Sequence, residues 1–292
     1  MCRGLWLACA FGALLGTAHA QTMRTDLPIT NGQVSAQVVK GDTLFLGGSF
    51  SYVGPVTGAG VPVDTATAQP RPAFPTVNGS VQTAIPDGSG GWFLGGLFTS
   101  VGSASRTNLA HVLADGSVGT WAPTTNALVR SLVLRGTTLY VGGDFTLLNG
   151  TARNRVGAVH ASTGALLTWN PNSNNSVRAL VAGPAGLFVG GQFTTIGGQT
   201  RNRIALLDFT TGSAITSWNP GANSIVQALV YESSVPTLYA GGQFTNIGGL
   251  ARNRLASLDP VTGATSTWNP NLSNSVNTIA VGPTGAVYVG GL

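Results

Sequence analysis

Arginine is the residue type whose spacing first suggests chemistry. Arg106, Arg153, Arg201 and Arg252 recur at one phase of a period of about 48 residues, and Arg155, Arg203 and Arg254 stand two positions after the last three. A guanidinium carries five donors and a permanent charge, so such a column can act in two ways. It can satisfy loop carbonyls at the same place in every repeat, as a structural clamp between one repeat and the next. Alternatively, Arg153, Arg155, Arg201, Arg203, Arg252 and Arg254 form a cationic ring that meets acidic glycans or other polyanions. Repetition at a fixed phase favours the clamp, and these six are the candidate ligand-binding residues. Trp121, Trp169, Trp218 and Trp268 share a second phase, each opening a Trp-x-Pro unit. Flat ring faces suit sugar stacking, yet an invariant phase argues for packing between repeats or under the loop that follows each tryptophan.

Residues for acid–base, nucleophilic or metal chemistry are sparse. The chain has nine acids, several of them in turns, where Asp bonds its own backbone. His111 and His160 lie in different repeats without a His-x-His or His-Glu partner, and His160 stands where Asp208 and Asp259 stand in later repeats, a turn position. No Gly-x-Ser-x-Gly elbow occurs. No catalytic residue, metal ligand or cofactor is therefore expected. Asp144 breaks this uniformity. Its slot holds Ser49, Leu97, Gln192 and Gln243 elsewhere, so a charge unique to one repeat marks where an individual site would form.

The elements that position these residues follow from the repeat itself. Gly-Gly pairs occur at Gly47-Gly48, Gly95-Gly96, Gly142-Gly143, Gly190-Gly191, Gly241-Gly242 and Gly290-Gly291, 47 to 51 residues apart. Phe50, Phe98, Phe145, Phe193 and Phe244 follow the first five in phase. The pairs sit inside apolar runs without a Lys-Ser/Thr successor, so they are read as allowing close sheet approach or a bulge, not as phosphate loops. In the fourth repeat, 177–181 reads as strand A, the turn 183–186 leads to strand B over 187–193, strand C spans 204–208, and Thr211-Gly212 turns into strand D over 214–218. Four antiparallel strands in about 48 residues, repeated, predict an all-β chain folded as a β-propeller of four-stranded blades, five complete and a sixth partial. Strand alternation puts the B–C and D–A loops on one face and the A–B and C–D hairpins on the other. The first face gathers the longer loops, rich in Arg, Asn, Thr and Ser, and is the candidate binding surface.

The run Leu139-Tyr140-Val141-Gly142-Gly143-Asp144-Phe145-Thr146, the run Arg252-Asn253-Arg254-Leu255-Ala256-Ser257-Leu258-Asp259 and the Trp-Asn-Pro-Asn units at Trp169 and Trp268 resemble the delta-60 repeat of bacterial exported proteins. More loosely they are similar to kelch repeats and to repeats of fungal cortical-marker surface proteins. The resemblance covers about Leu27 to Leu292 and implies an exported or surface propeller without specifying a ligand. The first repeat departs from it, with Gly58 where the arginine belongs and a proline-rich stretch from Val61 to Pro75. Copper-radical oxidase chemistry, found on kelch-type propellers, needs a cysteine cross-linked to tyrosine. The only cysteines, Cys2 and Cys9, precede the repeats.

With 43% hydrophobic residues, 8% charged and 42 glycines, the chain is neither a polyelectrolyte nor a helical protein. Arg3, the apolar run from Leu5 to Leu15 and Ala18-His19-Ala20 read as a secretory signal peptide over 1–20, cut near Ala20. The domains expected are that signal, an N-terminal closing strand at 21–30 and propeller repeats over 31–292, in a protein that is secreted, periplasmic or on the cell surface. No later segment has 18 uninterrupted apolar residues, so no membrane span is expected. The net charge of +5 is carried by regularly spaced arginines and not by a basic stripe, which argues against nucleic acid as a partner. The sequence stops inside strand B of the sixth repeat, and 22–28 has the phase of a strand D. A truncated, unclosed propeller is expected, with that segment at the outer edge of the gap. The favoured function is a non-catalytic exported module, structural or binding glycan or protein at the B–C/D–A face. The alternative, a propeller lyase or hydrolase acting on polysaccharide, has few carboxylates to draw on.

Overall fold

The computed structural model describes residues 30–292 apart from Tyr52, 54–58, Ala68 and 72–73. The leader expected at 1–20, the closing strand expected at 21–30 and the irregular position Gly58 lie outside the described residues, save Thr30, which bridges Val53.

Six inner strands recur: Gln33–Lys40, Val77–Pro86, Val129–Arg135, Val177–Ala182, Val226–Glu232 and Val276–Val281. Each pairs antiparallel with the strand carrying a Gly-Gly pair, in order Thr43–Ser49, Trp92–Val101, Thr138–Gly143, Leu187–Gly191, Thr237–Gly242 and Val287–Gly291. In the first five repeats a third strand adds on the far side: Gly60–Asp64, Leu109–Val112, Val156–His160, Ile204–Leu207 and Leu255–Leu258. Their Val, Ile, Leu and aromatic content suits a pleated, buried surface, and Gly turns end them.

The expected fourth strand is much reduced. Its ladder is a single isolated bridge per repeat, Val159↔Leu166 and Leu207↔Ala214 among them. In the fourth repeat the outer segment makes two bonds, Asp208 N–H to Ser213 O at 2.9 Å and Ile215 N–H to Leu206 O at 2.8 Å. It then leaves the sheet to carry Trp218 onto the next repeat, and Pro220 has no N–H with which to resume a ladder.

Apolar burial lies between sheets. Phe188 and Leu206 of the fourth repeat share a cluster with Leu229, Leu238 and Phe244 of the fifth. Tyr140 and Val156 of the third share another with Leu187 and Val189 of the fourth. Phe45 of the first packs with Val81 and Leu94 of the second. No repeat buries its apolar face alone, and stacking of neighbours supplies the core. The inner strands pack on one another in sequence order from the first to the sixth. On the sixth repeat Tyr288 and Val289 stay exposed.

Candidate functional site

In all six repeats the ladder between inner and second strand slips by one residue opposite the Gly-Gly pair. The residues passed over are Ser35, Gln82, Arg130, Arg178, Gln227 and Asn277. A bulge leaves its extra residue unpaired and re-aims the side chain. The Gly-Gly pair makes room for it. A Cβ at Gly190 would lie 2.8 Å from Val226 Cγ1 of the next repeat, and one at Gly191 would lie 2.2 Å from the carbonyl oxygen of Ser176, just before the bulge. Gly142 and Gly241 meet Val177 and Val276 in the same way, and Gly143 and Gly242 meet the carbonyls of Leu128 and Ile225. The first glycine therefore admits the neighbouring repeat, and the second admits the bulge.

All six bulge residues line one open cavity of about 680 Å³, together with Gln37, Thr83 and Thr278. Because every inner strand contributes, this cavity is the axis of the array. In the third to sixth repeats its lining comes from the first half of the inner strand, the end that the D–A loops feed, whereas in the first repeat it runs from Gln33 to Val38 and in the second from Gln82 to Ala84, past that strand's middle. Arg130 donates through Nε to Asp144 Oδ1 at 2.9 Å and through Nη2 to Oδ2 at 2.6 Å. Ser176 Oγ donates to the same Oδ1 at 2.6 Å. Burial pushes the Asp144 carboxyl up, but these hydrogen bonds and the charges of Arg130 and Arg178 outweigh it and hold the group below its ordinary value. Arg178 Nη1 donates to Gln227 Oε1 at 3.3 Å, and Gln227 Nε2 to Asn277 Oδ1 at 2.7 Å, so one chain of contacts joins the fourth, fifth and sixth repeats. Burial and the Arg130 charge lower Arg178 from the usual arginine value, with Asp144 opposing.

The arginines singled out by sequence lie elsewhere and are engaged within their own repeats. Arg153 donates to the carbonyls of Ala152 (2.9 Å) and Leu167 (3.0 Å), Arg201 to Thr200 (2.8 Å) and Ile215 (3.1 Å), and Arg252 to Ala251 (2.8 Å) and Ser266 (2.7 Å). Arg155, Arg203 and Arg254 adopt left-handed φ near +66° and donate to the carbonyls of Asp144, Gln192 and Gln243, closing the B–C loop. Each guanidinium ties the B–C loop to the sheet it springs from. The expected clamp between repeats is thus a clamp inside each repeat, because the outer segment folds back within reach of the arginine of its own loop.

The tie between repeats is the tryptophan. Trp121 Nε1 donates to His160 O at 3.1 Å, Trp169 to Asp208 O at 3.0 Å and Trp218 to Asp259 O at 3.3 Å, in each case into the following repeat. Trp169 also meets Tyr140 edge-on, and Trp218 packs against Phe188. Trp268 packs edge-on against Tyr239 and remains 38% exposed. Asparagines of the D–A loops are engaged as well: Asn126, Asn174 and Asn223 each accept from two backbone N–H groups of the B–C loop beside them. His160 Nδ1 accepts from the backbone of Ser162 and Thr163, the turn role that Asp208 plays for Thr210 and Thr211. His111 lies 2.9 Å from Asp87, a partner 24 residues away that local motif reading missed. Among the described residues no group of three or more His, Cys, Asp or Glu could hold a metal ion, and no helix is long and apolar enough to cross a membrane.

Sequence reasoning isolated Asp144 and overlooked Arg130, Arg178, Gln227 and Asn277. The signal was available as the column directly after the buried valines Val81, Val129, Val177, Val226 and Val276, where residue type changes from repeat to repeat.

Residues 187–208 match a β-propeller domain of unknown function, DUF5122. No curated protein sequence matches the chain. Among solved structures, the WD40 β-propeller domain of Doa1 is similar with a TM-score of 0.58 at 13% identity, over 88% of this chain and 75% of that one. The computationally designed Ika8 protein is similar with a TM-score of 0.56 at 14% identity, over 88% of this chain and 70% of that one. These likenesses show the fold, a β-propeller-type architecture of small antiparallel sheets.

Proposed function

We propose that the chain is a non-catalytic binding module of an exported or surface protein, of delta-60 repeat type, whose ligand sits at the axis on the face bearing the B–C and D–A loops. In this reading each outer segment is the fourth strand of its blade, and the blades surround the axis. The observation that carries the proposal is the bulge column: one invariant backbone device delivers six side chains, of differing polar types, into one cavity. All six are polar groups able to hydrogen-bond, and convergent polar groups lining one cavity are what a binding site requires. The outer arginines and the D–A asparagines already bond backbone, so the loop surface offers fewer free donors than its composition suggests.

The test pairs retention with turnover. The purified chain is applied to an immobilised panel of acidic and neutral glycans, and the same glycans are assayed for new reducing ends and unsaturated products. Retention without cleavage is expected. Cleavage that disappears in Asp144→Asn would establish the polysaccharide lyase or hydrolase reading instead. No retention of any glycan would count against the binding module.

A further inference from the structure

We propose that Arg178 is the anion-binding group of the axial cavity and that the ligand it selects is a carboxylated sugar, a uronate. The inference rests on the cavity being a binding site. The cavity region holds two guanidinium groups and one carboxylate. Arg130 is committed to that carboxylate through both arms of its fork. Arg178 is not committed. Its hydrogen bond to Gln227 Oε1 is long at 3.3 Å. Its Nε is buried without an acceptor, as are those of Arg106, Arg153, Arg201, Arg252 and Arg254, but those five each donate through another nitrogen to a backbone carbonyl, which Arg178 does not. Among the described residues no carboxylate lies within ion-pair distance of it. A buried donor without a partner is costly, and a planar guanidinium edge fits a carboxylate with two parallel bonds. A carboxylate in the cavity would supply both the missing acceptors and the missing charge.

Charge and lining narrow the ligand further. Arg130 and Asp144 cancel, which leaves a surplus of one positive charge, the match for a monoanion and not for a phosphate dianion. Besides the two arginines the lining offers the amides of Gln82, Gln227 and Asn277 and the hydroxyls of Ser35, Thr83 and Thr278. Such groups both donate and accept, which is what a ring of sugar hydroxyls requires. No aromatic side chain lines the cavity, so recognition by stacking is not on offer. A volume of about 680 Å³ accepts a mono- or disaccharide.

Isothermal titration of the purified chain with sodium D-glucuronate, D-glucose and inorganic phosphate tests the assignment. Glucuronate is expected to bind about tenfold or more tightly than either of the others, and Arg178→Gln to weaken glucuronate about tenfold or more. Arg178→Lys, which keeps the charge and loses the fork, should recover only part of that loss. Lys40→Gln removes the same charge from an exposed residue at the far end of the first inner strand and should change the affinity less than about twofold. Thermal melts of every variant separate unfolding from lost binding. Failure to bind glucuronate, equal affinity for glucose, tighter binding of phosphate, or full affinity in a folded Arg178→Gln protein would each overturn the uronate assignment. Only loss of all retention on the glycan panel would overturn the binding module beneath it.

Discussion

Gly190→Ala places a methyl group where the fifth repeat already has one. The new Cβ would lie 2.8 Å from Val226 Cγ1 and 3.3 Å from Leu229 Cδ1, whereas ordinary contacts of a Cβ begin at 3.4 Å. Either the two repeats part by about 0.6 Å or Val226 leaves its rotamer, and overpacking of this kind costs about 1–3 kcal/mol. Val226 is fully buried, so Val226→Ala alone removes two packed methyls and costs about 2 kcal/mol. In the double variant the added methyl occupies the space just vacated. The combined loss should therefore fall short of the sum by about 1–2 kcal/mol. Gly191→Ala provides the contrast, because its obstacle is the Ser176 carbonyl at 2.2 Å, and no side-chain truncation removes backbone. Val226→Ala should not relieve it. The measurement is urea unfolding followed by both tryptophan fluorescence and circular dichroism, with free energies taken only where the two transitions coincide. Additivity of Gly190→Ala and Val226→Ala within about 0.5 kcal/mol would show that the first glycine of the pair does not serve the contact between repeats.

Arg201 is 5% exposed, so Arg201→Ala strands the carbonyls of Thr200 and Ile215 and should cost about 1–3 kcal/mol in a thermal melt, with Arg201→Lys recovering little. An unchanged melting temperature would remove the clamp. Trp218→Phe should cost more than Trp268→Phe, because Trp218 is fully buried and bonded to Asp259 O of the next repeat while Trp268 is 38% exposed; equal losses would refute the tryptophan tie. The folded Asp144 carboxyl lies below its ordinary value of 3.8, so its contribution to stability is complete above that value and is lost as pH falls through the lower folded one. The groups facing it are Arg130, Arg178 and Ser176. Melting temperatures of wild type and Asp144→Asn should therefore converge as pH drops from about 5 to about 2, and a gap that stays constant would contradict the ion pair. Asp87 is also lowered, with burial raising it and hydrogen bonds from His111, Ser89 and Gly91 prevailing, so some acid sensitivity remains in both proteins.

The period, the all-β class and the inner three strands were legible because they are written in columns that do not change. Gly142, Gly190 and Gly241 face Val177, Val226 and Val276, and a packing contact that recurs must use the same residues each time. The partner of a repeated polar residue is harder to read. Nothing in the spacing of Arg201 says whether the carbonyl it needs belongs to its own repeat or the next, and only the folded outer segment, bringing Ile215 back beside the loop, settles it. The outer segment is hard to read for a related reason: nothing in 214–218 says that its ladder stops at a single bridge before Trp218 is drawn to the neighbouring sheet.

The axial residues escaped a search for repeated chemistry because their column carries none. Ser35, Gln82, Arg130, Arg178, Gln227 and Asn277 share a position and polarity but no one residue type. The bulge explains that freedom. A residue passed over by the ladder contributes no packing contact that the next repeat depends on, so its side chain can vary while the valine before it and the glycines opposite cannot. Asp144 belongs to the same logic. It does stand apart, as its unique charge foretold, but its role is to occupy Arg130. Two adjacent bulges each deliver an arginine, and one carboxylate answers only the first. The consequence is an axis with one cation, Arg178, that no carboxylate answers, in a cavity lined by amides and hydroxyls, while the other conspicuous arginines donate to carbonyls of their own repeats.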